Sequence, residues 1–331
     1  TAAPREPTVT PMPTSTPTPT ATPLPPQPPR LLSRSPARGE EIPPDAPILL
    51  RFDQAMDAPS LEQAWSIEPE VKGKLTWDDP RSLRFIPAEG GFQRDTEYRV
   101  TITATARSAY KLPLAHPIEL RFKTVGFLEV TEVFPLPDSA SVKGDSTIRI
   151  VFNRPVVPLT SIQQQRGLPN PIEFVPAIQG KGSWVNTSIY SFEPTERLLP
   201  GTRYTARIRA GLKDTTGGIL AKDYTWSFTT EVPELVSVSP ANKAMHVSPY
   251  TSIRMTFNQP MKPQATQELF SMKTDKSPSS VPGVFTWDKS TLIFTPTQAL
   301  EMGATYNLRL EKGAPAATGQ ASIEKTYTWQ F

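Results

Sequence analysis

Cysteine is absent from this sequence of 331 residues, and histidine occurs at only two positions. The lack of cysteine excludes disulfide bonds, thiolate metal sites and thiol nucleophiles. His116 and His246 are far apart in the chain, and each is followed closely by proline in turn-like sequence. We therefore expect both histidines at the surface. A Ser-His-Asp arrangement needs an imidazole positioned beside the nucleophile, and nothing near either histidine indicates one.

Long apolar runs and a strong excess of charge are also missing. No stretch reaches the roughly 18 apolar residues of a membrane-spanning helix, and no basic, apolar leader opens the chain at Thr1. We expect any export signal to have been removed before Thr1, and an upstream lipid anchor stays an open alternative. The 35 basic and 32 acidic residues give a net charge of +3 without a basic cluster. Nucleic-acid binding is therefore not predicted.

Short motifs that superficially match reactive sites are better explained as turns. Asp78 and Asp79 precede a proline, which favours a turn over a calcium site, and no EF-hand spacing occurs. The segment QGKGSW, residues 179–184, lacks the spacing of a phosphate-binding loop and predicts a hairpin turn ahead of a strand. DTTGG, residues 214–218, and the glycosylation pattern at Asn186 also predict turns. With no acid pair typical of a glycosidase, the sequence predicts no catalytic, cofactor-binding or metal-binding residue, no cofactor, and a protein that is not an enzyme.

Proline is abundant, with 39 residues against an average share of about 5%. Residues 1–29 hold eleven prolines and eight threonines, and only Arg5 and Glu6 are charged there. Such a segment has little to bury and favours extended polyproline-II conformations. We interpret residues 1–32 as a disordered Thr/Pro-rich linker that acts as a stalk. A merely disordered terminus and a proline-motif ligand are the alternatives.

A short phrase recurs at intervals of about a hundred residues, as FDQAM, FNRPV and FNQPM beginning at Phe52, Phe152 and Phe257. Each phrase follows apolar residues at every second position, which predicts a strand with one buried face. The Asn or Asp after each Phe is expected to form a turn by bonding its own backbone. The last residue of each phrase is expected to pack at the edge of the fold: Met56, Val156 and Met261.

Three further aromatic positions align between the repeats. A tryptophan precedes a segment like LRFIP, a tyrosine opens an alternating strand, and a phenylalanine lies in the last strand. These residues are Trp77, Trp184 and Trp287; Tyr98, Tyr204 and Tyr306; and Phe122, Phe228 and Phe331. Because the tryptophans occupy equivalent positions, a core or inter-sheet role is favoured over an exposed platform for carbohydrate or protein.

Many short alternating strands, turn sequences and the lack of a helical period predict an all-β protein of three tandem antiparallel β-sandwich domains behind the tether. The predicted domains are residues 33–124, 125–230 and 231–331. Few residues separate consecutive domains, so limited bending is predicted. The third repeat stops at Phe331 where the other two continue, and we expect the chain to be part of a longer protein.

The two ends of the repeats resemble a known module. SPARGEEIPPDAPILLRFDQAMD, SPANKAMHVSPYTSIRMTFNQPM and, in repeat two, LPGTRYTARIRAGLKDTTGGIL are similar to the bacterial Ig-like domain first described in S-layer proteins. The resemblance covers residues 33–331 and implies that the three sandwiches are Ig-like domains.

Repeat two carries a second resemblance. IVFNRPVVPLTSI and PIEFVPAIQGKGSWVNTSIYSFEPTERLLPGTRYTARIRAGLKDTTGGIL resemble the N-terminal region of bacterial alpha-2-macroglobulins. That family traps proteases: a bait segment is cleaved, the molecule collapses around the protease, and a Cys-x-Glu-Gln thioester can bind it. This chain has no cysteine and no evident bait segment. The resemblance therefore implies non-catalytic scaffold domains of a protease trap, with no functional residue in this chain.

Two other functions stay open, a structural or adhesive Ig-like module of an S-layer or cell-wall protein and Ig-like domains attached to a polysaccharide hydrolase. The expected partners are other domains of a larger parent protein, and proteases only through that parent. We expect a tethered, monomeric, extracytoplasmic protein at the cell surface or in the periplasm. No nucleic-acid partner and no membrane span are expected.

Overall fold

The structure, a computed structural model, describes residues 27–159 and 167–331. The chain divides into two compact units between Val125 and Gly126. Most of the predicted tether, residues 1–26, lies outside the described residues. Leu31 and Leu32 already belong to a strand, so the first domain begins two residues before its predicted start.

Domain 1 lies in the first unit and is a sandwich of two sheets. Its elements are β1 (Leu31–Ser35), β2 (Glu41–Ile42), β3 (Ile48–Phe52), α1 (Ala58–Ala64), β4 (Trp65–Glu68), β5 (Gly73–Asp79), β6 (Ser82–Pro87), β7 (Glu97–Ile102) and β8 (Ile118–Thr124). One sheet has the order β1-β3-β6-β5 and the other has the order β2-β8-β7-β4.

Domains 2 and 3 lie in the second unit and repeat this arrangement. Domain 2 contains β9 (Val130–Phe134), β10 (Ile148–Phe152), β11 (Ile172–Val175), β12 (Gly180–Trp184), β13 (Ile189–Pro194), β14 (Arg203–Ile208) and β15 (Tyr224–Thr229). Domain 3 contains β16 (Leu235–Ser239), β17 (Ile253–Phe257), α2 (Pro263–Gln267), β18 (Phe270–Thr274), β19 (Ser277–Ser280), β20 (Gly283–Asp288), β21 (Thr291–Pro296), β22 (Tyr306–Leu310) and β23 (Tyr327–Gln330).

In each domain the first sheet has the strand order found in domain 1, whereas the second sheets share three central strands and differ at their edges. Domain 2 has β9-β10-β13-β12 beside β11-β14-β15, and domain 3 has β16-β17-β21-β20 beside β19-β18-β22-β23. Every pair of these strands is antiparallel except β2 with β8. The predicted all-β class and the three antiparallel sandwiches are therefore confirmed.

Each sandwich closes over its own hydrophobic core. In β3, Ile48, Leu50 and Phe52 are at most 2% exposed, while Arg51 points to solvent. The corresponding strands β10 and β17 alternate in the same way, because successive side chains of a strand face opposite sides of the sheet. The last residues of the recurring phrases are buried as predicted: Met56, Val156 and Met261.

Two short helices follow β3 and β17, and the alternation in the sequence did not predict them. Helix α1 has a proline in its first turn and buries Leu61 and Ala64. Helix α2 also begins with a proline, and Thr266 is its buried residue. Both segments are too short to show the period of a helix, and packing against the core holds them.

The aligned tyrosines fasten each sandwich at one end. The hydroxyl oxygen of Tyr204 accepts a hydrogen bond of 2.9 Å from the backbone N–H of Leu199, five residues upstream. Its ring stacks on Phe228 of the last strand, with 5.7 Å between ring centroids. Equivalent bonds and stacks occur at Tyr98 and Tyr306. The similar spacing of Tyr and Phe in the three repeats therefore reflects one shared contact, the tyrosine latch. Contacts of this kind are called tyrosine corners in immunoglobulin folds.

Glycines beneath aromatic rings explain why the predicted turn at residues 179–184 is wrong. Residues Gly180–Trp184 form strand β12, which pairs with β13. A Cβ atom on Gly180 would lie 2.5 Å from Cζ of Phe192, so only glycine leaves room for the ring. Gly73 and Gly283 lie in the same way under the rings of their own domains. The glycines therefore belong to the strand and admit a cross-strand aromatic ring.

Replacement of Gly180 by alanine should destabilise domain 2. The added methyl group would also meet the backbone oxygen of Glu193 at 2.5 Å, and overpacking of this kind costs about 1–3 kcal/mol. Gly167→Ala is the matched control, because a Cβ atom there has no neighbour within 4 Å. Calorimetry of the full chain should show a lower transition temperature for Gly180→Ala only. Equal transitions for the two variants would contradict the ring-over-glycine explanation.

Candidate functional site: the joint between domains 2 and 3

The linker that enters domain 3 is fastened by the side chain of Asn258, which directly follows β17. Its Oδ1 atom accepts a hydrogen bond of 2.9 Å from the N–H of Glu234, and its Nδ2 atom donates one of 2.9 Å to the carbonyl of Val232. The backbone N–H of Asn258 also donates to the carbonyl of Glu234. Pairing of Leu235 with Phe257 places these groups side by side. The predicted turn in which this residue bonds its own backbone is therefore wrong.

The same clamp recurs at the start of domain 2. Oδ1 of Asn153 accepts from the N–H of Glu129 at 2.9 Å, and Nδ2 donates to the carbonyl of Phe127 at 3.1 Å. In both domains the amide group acts as donor and acceptor at once, which is the property that separates asparagine from aspartate.

Domain 1 has aspartate at this position, and two side chains make the two hydrogen bonds that one asparagine makes in the other domains. Oδ1 of Asp53 accepts a hydrogen bond of 2.8 Å from the N–H of Arg30. A carboxylate has no N–H to donate, and the neighbouring Gln54 supplies one instead, from Nε2 to the carbonyl of Gln27 at 2.8 Å. The clamp position is thus used in all three repeats to hold the segment that precedes the first strand.

Domain 2 holds the other end of the linker. The N–H of Glu231 donates to the carbonyl of Val142 at 2.9 Å, and the carbonyl of Glu231 accepts from the N–H of Gly201 at 3.1 Å. The guanidinium of Arg197 lies 3.8 Å from the carboxylate of Glu231. One residue earlier, the Oγ1 atom of buried Thr230 accepts from the N–H of Thr202 at 2.9 Å. Domain 2 therefore fixes the chain up to Glu231, and the clamp of domain 3 begins at the next residue.

The two domains also contact each other through two loops, one containing Gly201 and the other containing Gly319. Gly201 has φ +59°, and a Cβ atom on it would lie 3.1 Å from Cβ of Ala321 and 3.2 Å from Cγ1 of Val232. On the other side, a Cβ atom on Gly319 would lie 3.4 Å from Cδ of Pro200. These distances place the two loops in van der Waals contact beside the linker.

An ion pair in domain 3 fixes the last residue of the linker, Glu234. The Nζ atom of Lys325 lies 2.8 Å from Oε1 of Glu234, and the hydroxyl of Tyr327 lies 3.4 Å from the same oxygen. The bond from Lys325 is the main cause of a lowered pKa for Glu234. The hydroxyl oxygen of Tyr327 also accepts from the N–H of Leu235. The entry segment is thus tied to the last strand as well as to β17.

Removal of the Asn258 side chain should loosen the linker. Asn258→Ala leaves the N–H of Glu234 and the carbonyl of Val232 without these partners, and each hydrogen bond contributes about 1 kcal/mol. We expect the Glu234 amide to exchange with deuterium about tenfold faster or more. Asn258→Asp keeps the acceptor and should show a smaller effect. Asn307→Ala, on the exposed face of β22, is the control, and unchanged exchange at Glu234 in Asn258→Ala would refute the clamp.

The sequence-derived candidate residues do not converge on a reactive site. Both histidines are exposed, in separate domains. The oxygen Oδ1 of Asp79 accepts from the N–H of Arg81, which is the predicted turn. Asn186 likewise accepts from backbone N–H groups in the exposed turn between β12 and β13. The aligned tryptophans pack on the cores, with Trp184 5% exposed and its Nε1 donating to the carbonyl of Pro169.

Burial and hydrogen bonds displace the pKa values of several described side chains. Burial raises the pKa of Tyr190 to about 12, and hydrogen bonds from the Ala210 N–H and from Arg207 lower the pKa of Asp223. The pKa is displaced away from neutrality at these described side chains: Asp79, Arg84, Glu119, Lys123, Tyr190, Asp223, Glu234, Lys276, Arg309, Glu311 and Lys325.

One surface depression, of ≈850 Å³ on the outer face of β7 and β8, is lined by both signs of charge, including Arg99, Arg121 and Glu97. Arg99 and Arg121 both pair with Glu119. Within residues 27–159 and 167–331 no group of three or more acids and histidines is placed to hold a metal ion. Over the same ranges no helix has the length and apolar character needed to cross a membrane.

The repeated sandwiches with their aligned latches correspond to a known family. The model for the bacterial Ig-like domain matches residues 25–124, 127–230 and 231–331. The chain belongs to the bacterial Ig-like domain family. Its three domains are thus three bacterial Ig-like domains in tandem, and a comparison with curated proteins gives no match.

Solved structures match this chain only at low identity and low TM-score. An L,D-transpeptidase from Mycobacterium smegmatis is 14% identical over 47% of this chain and 66% of its own, with a TM-score of 0.24. The N-terminal part of the bacterial S-layer protein SbsC is 12% identical over 61% of this chain and 43% of its own, with a TM-score of 0.24. This chain spans less than two thirds of the first two transpeptidase chains, 66% and 62%. Likeness at this level carries no information on activity.

Proposed function

We propose that these bacterial Ig-like domains are a non-catalytic structural module of an extracytoplasmic surface protein, in which domains 2 and 3 form a stiff spacer. The observation that carries this proposal is the joint. Hydrogen bonds fix the linker from Thr230 to Glu234, and loops of both domains meet beside it. A linker with its backbone bonded on both sides has lost the freedom of a flexible coil.

The surface composition supports a spacer. Exposed strand positions carry ion pairs on the outer sheets, such as Arg207 with Asp223 and Arg309 with Glu311. Exposed pairs of this kind add little stability, but they keep open sheets soluble and protect their edges. These pairs join residues of the same domain.

The stiffness of the joint can be measured by double electron–electron resonance, because the chain has no native cysteine. Val185 and Val284 are exposed positions in domains 2 and 3, with exposures of 62% and 58%. Spin labels at Val185→Cys and Val284→Cys should give one narrow distance distribution. Val236→Cys with Val284→Cys, both within domain 3 and both exposed, is the reference for the width that the label itself causes. A distribution between the domains several times broader than this reference would overturn the stiff spacer.

An adhesive role is the competing form of the same proposal. A spacer should show no saturable binding to purified cell-wall polysaccharide, whereas an adhesive module should bind it reproducibly. Sedimentation of the full chain with insoluble cell wall measures this binding, with and without about 0.5 M salt, which screens most attraction between exposed charges. Binding that survives the salt is specific adhesion, and binding that disappears is charge attraction.

A second candidate function is the scaffold of an alpha-2-macroglobulin-like protease trap. The observation that favours it is the resemblance of repeat two in IVFNRPVVPLTSI and in the segment from PIEFV to TTGGIL. In this form the chain alone inhibits no protease, and its coding region continues into a bait segment or a Cys-x-Glu-Gln motif. Sequencing of that region decides the matter, since a continuation without either element would remove the trap and leave the spacer intact.

A further inference from the structure

Domain 2 contacts domain 3 through one of its ends, and domain 3 has an equivalent end. We define the exit end of each domain by two loops, residues 142–146 and 198–202 in domain 2 and residues 247–251 and 300–304 in domain 3. In both ends one loop bonds the other, by Leu198 N–H to the Gly144 carbonyl and by Leu300 N–H to the Pro249 carbonyl, each at 2.8 Å. The tyrosine latch fixes the same position in each second loop, at Leu199 and Glu301.

These shared bonds set the correspondence between the two exit ends residue by residue. Met302 holds the position of Pro200, and Gly303 holds that of Gly201, with φ values of +71° and +59°. Counting from the Pro249–Gly144 pair, Tyr250 holds the position of Asp145. The exit end of domain 3 therefore has the same backbone design as the surface that receives a domain in domain 2.

The side chains at the exit end of domain 3 are large, apolar and exposed. Tyr250 and Met302 are each 84% exposed. A Cβ atom on Gly303 would meet no atom within 4 Å, whereas one on Gly201 meets Ala321 and Val232. Methionine and tyrosine are enriched at protein interfaces, and two of them on one end are more than an isolated exposed residue.

The difference from domain 2 is a replacement of charge by apolar surface. In domain 2, Asp145 pairs with Arg197 at 3.2 Å. At the corresponding positions domain 3 has Tyr250 and Ala299. Replacement of an ion pair by an exposed aromatic ring lowers the solubility of a surface. Such a replacement is expected where another protein domain covers that surface.

We propose that the exit end of domain 3, at Tyr250 and Met302, is a docking surface for a further bacterial Ig-like domain. The incoming domain contacts it through the loop equivalent to residues 316–321 of domain 3. That loop offers the small residues Gly319 and Ala321, and these are the groups that lie against Pro200 and Gly201 in the existing joint. The inference rests on the proposed function as a stiff array and extends it by one joint.

An extended chain tests the docking. After Phe331 it carries Thr-Thr, copied from Thr229 and Thr230, followed by a second copy of residues 231–331. Met302→Cys in the original domain 3 and Gly319→Cys in the added copy should form a disulfide under mild oxidation. Pro200→Cys with Gly319→Cys of the original domain 3 reports the existing joint as positive control. Val284→Cys with Gly319→Cys in the added copy is the negative control, because Val284 lies on a strand of the sandwich.

The outcomes separate the proposal from its alternatives. Docking gives an intramolecular disulfide at a rate within about threefold of the positive control, with the loss of two hydrogens to the oxidant and no covalent dimer. No cross-link above the negative control, while the positive control forms, overturns the proposal. A covalent dimer of the unextended Met302→Cys and Gly319→Cys chain would instead identify a second copy as the occupant and also overturn it. A broad domain 2–3 distance distribution would point to failure of the stiff spacer itself, independently of these results.

Oxidation of methionine provides a readout that needs no substitution. In the unextended chain, hydrogen peroxide should oxidise Met245 and Met302 quickly, while Met255 and Met272, at most 1% exposed, serve as internal controls. In the extended chain, oxidation of the original Met302 should slow about fivefold or more. Equal rates at Met302 in the two chains would overturn the docking surface.

Discussion

The carboxamide of Asn258 makes two hydrogen bonds to backbone groups two residues apart, the carbonyl of Val232 and the N–H of Glu234. A planar carboxamide donates from its nitrogen and accepts at its oxygen, so one side chain can hold both backbone groups. Because this group follows directly after the inner strand β17, the linker is attached to the most deeply packed part of the sandwich. The direction in which the chain enters domain 3 is therefore set by the core and not by the linker itself.

Fold and joint differ in how much of each can be predicted from sequence. Alternation in β3 or β17 is local, and residues such as Ile253, Met255 and Phe257 face the core as their spacing predicts. The clamp depends on the register between two strands about twenty residues apart, and sequence spacing does not give that register. Asn258 is visible as an aligned position, but its partners at Val232 and Glu234 are not. The alignment alone favoured a local turn, and the structure shows a longer-range bond.

The error at residues 179–184 has a similar cause. Two glycines in a polar segment are typical of a turn, and the sequence contains no local indication that rings lie above them. The reason becomes visible only when β12 pairs with β13, since a Cβ atom on Gly182 would lie 1.6 Å from the hydroxyl of Tyr190. The same reasoning applies to the exit loops, where Gly201 and Gly303 have similar backbone conformations but different neighbours. A glycine in these domains is thus required either by a positive φ or by a close neighbouring atom, and only the structure shows which of the two applies.

The stiffness proposed for the joint rests on the number of bonds that hold the linker at both of its ends. Between Thr230 and Glu234 the described contacts include bonds to Val142, Gly201 and Asn258, with loop contact beside them. At about 1 kcal/mol for each hydrogen bond, loss of several together exceeds thermal energy by several fold, whereas loss of one does not. Domain 2 holds the linker up to Glu231 and domain 3 holds it from Val232, so few backbone torsions between the two sets of bonds stay free. In the proposed spacer such a joint transmits orientation from one sandwich to the next, and its strength depends on bonds to backbone atoms that each domain already holds in place through its own core.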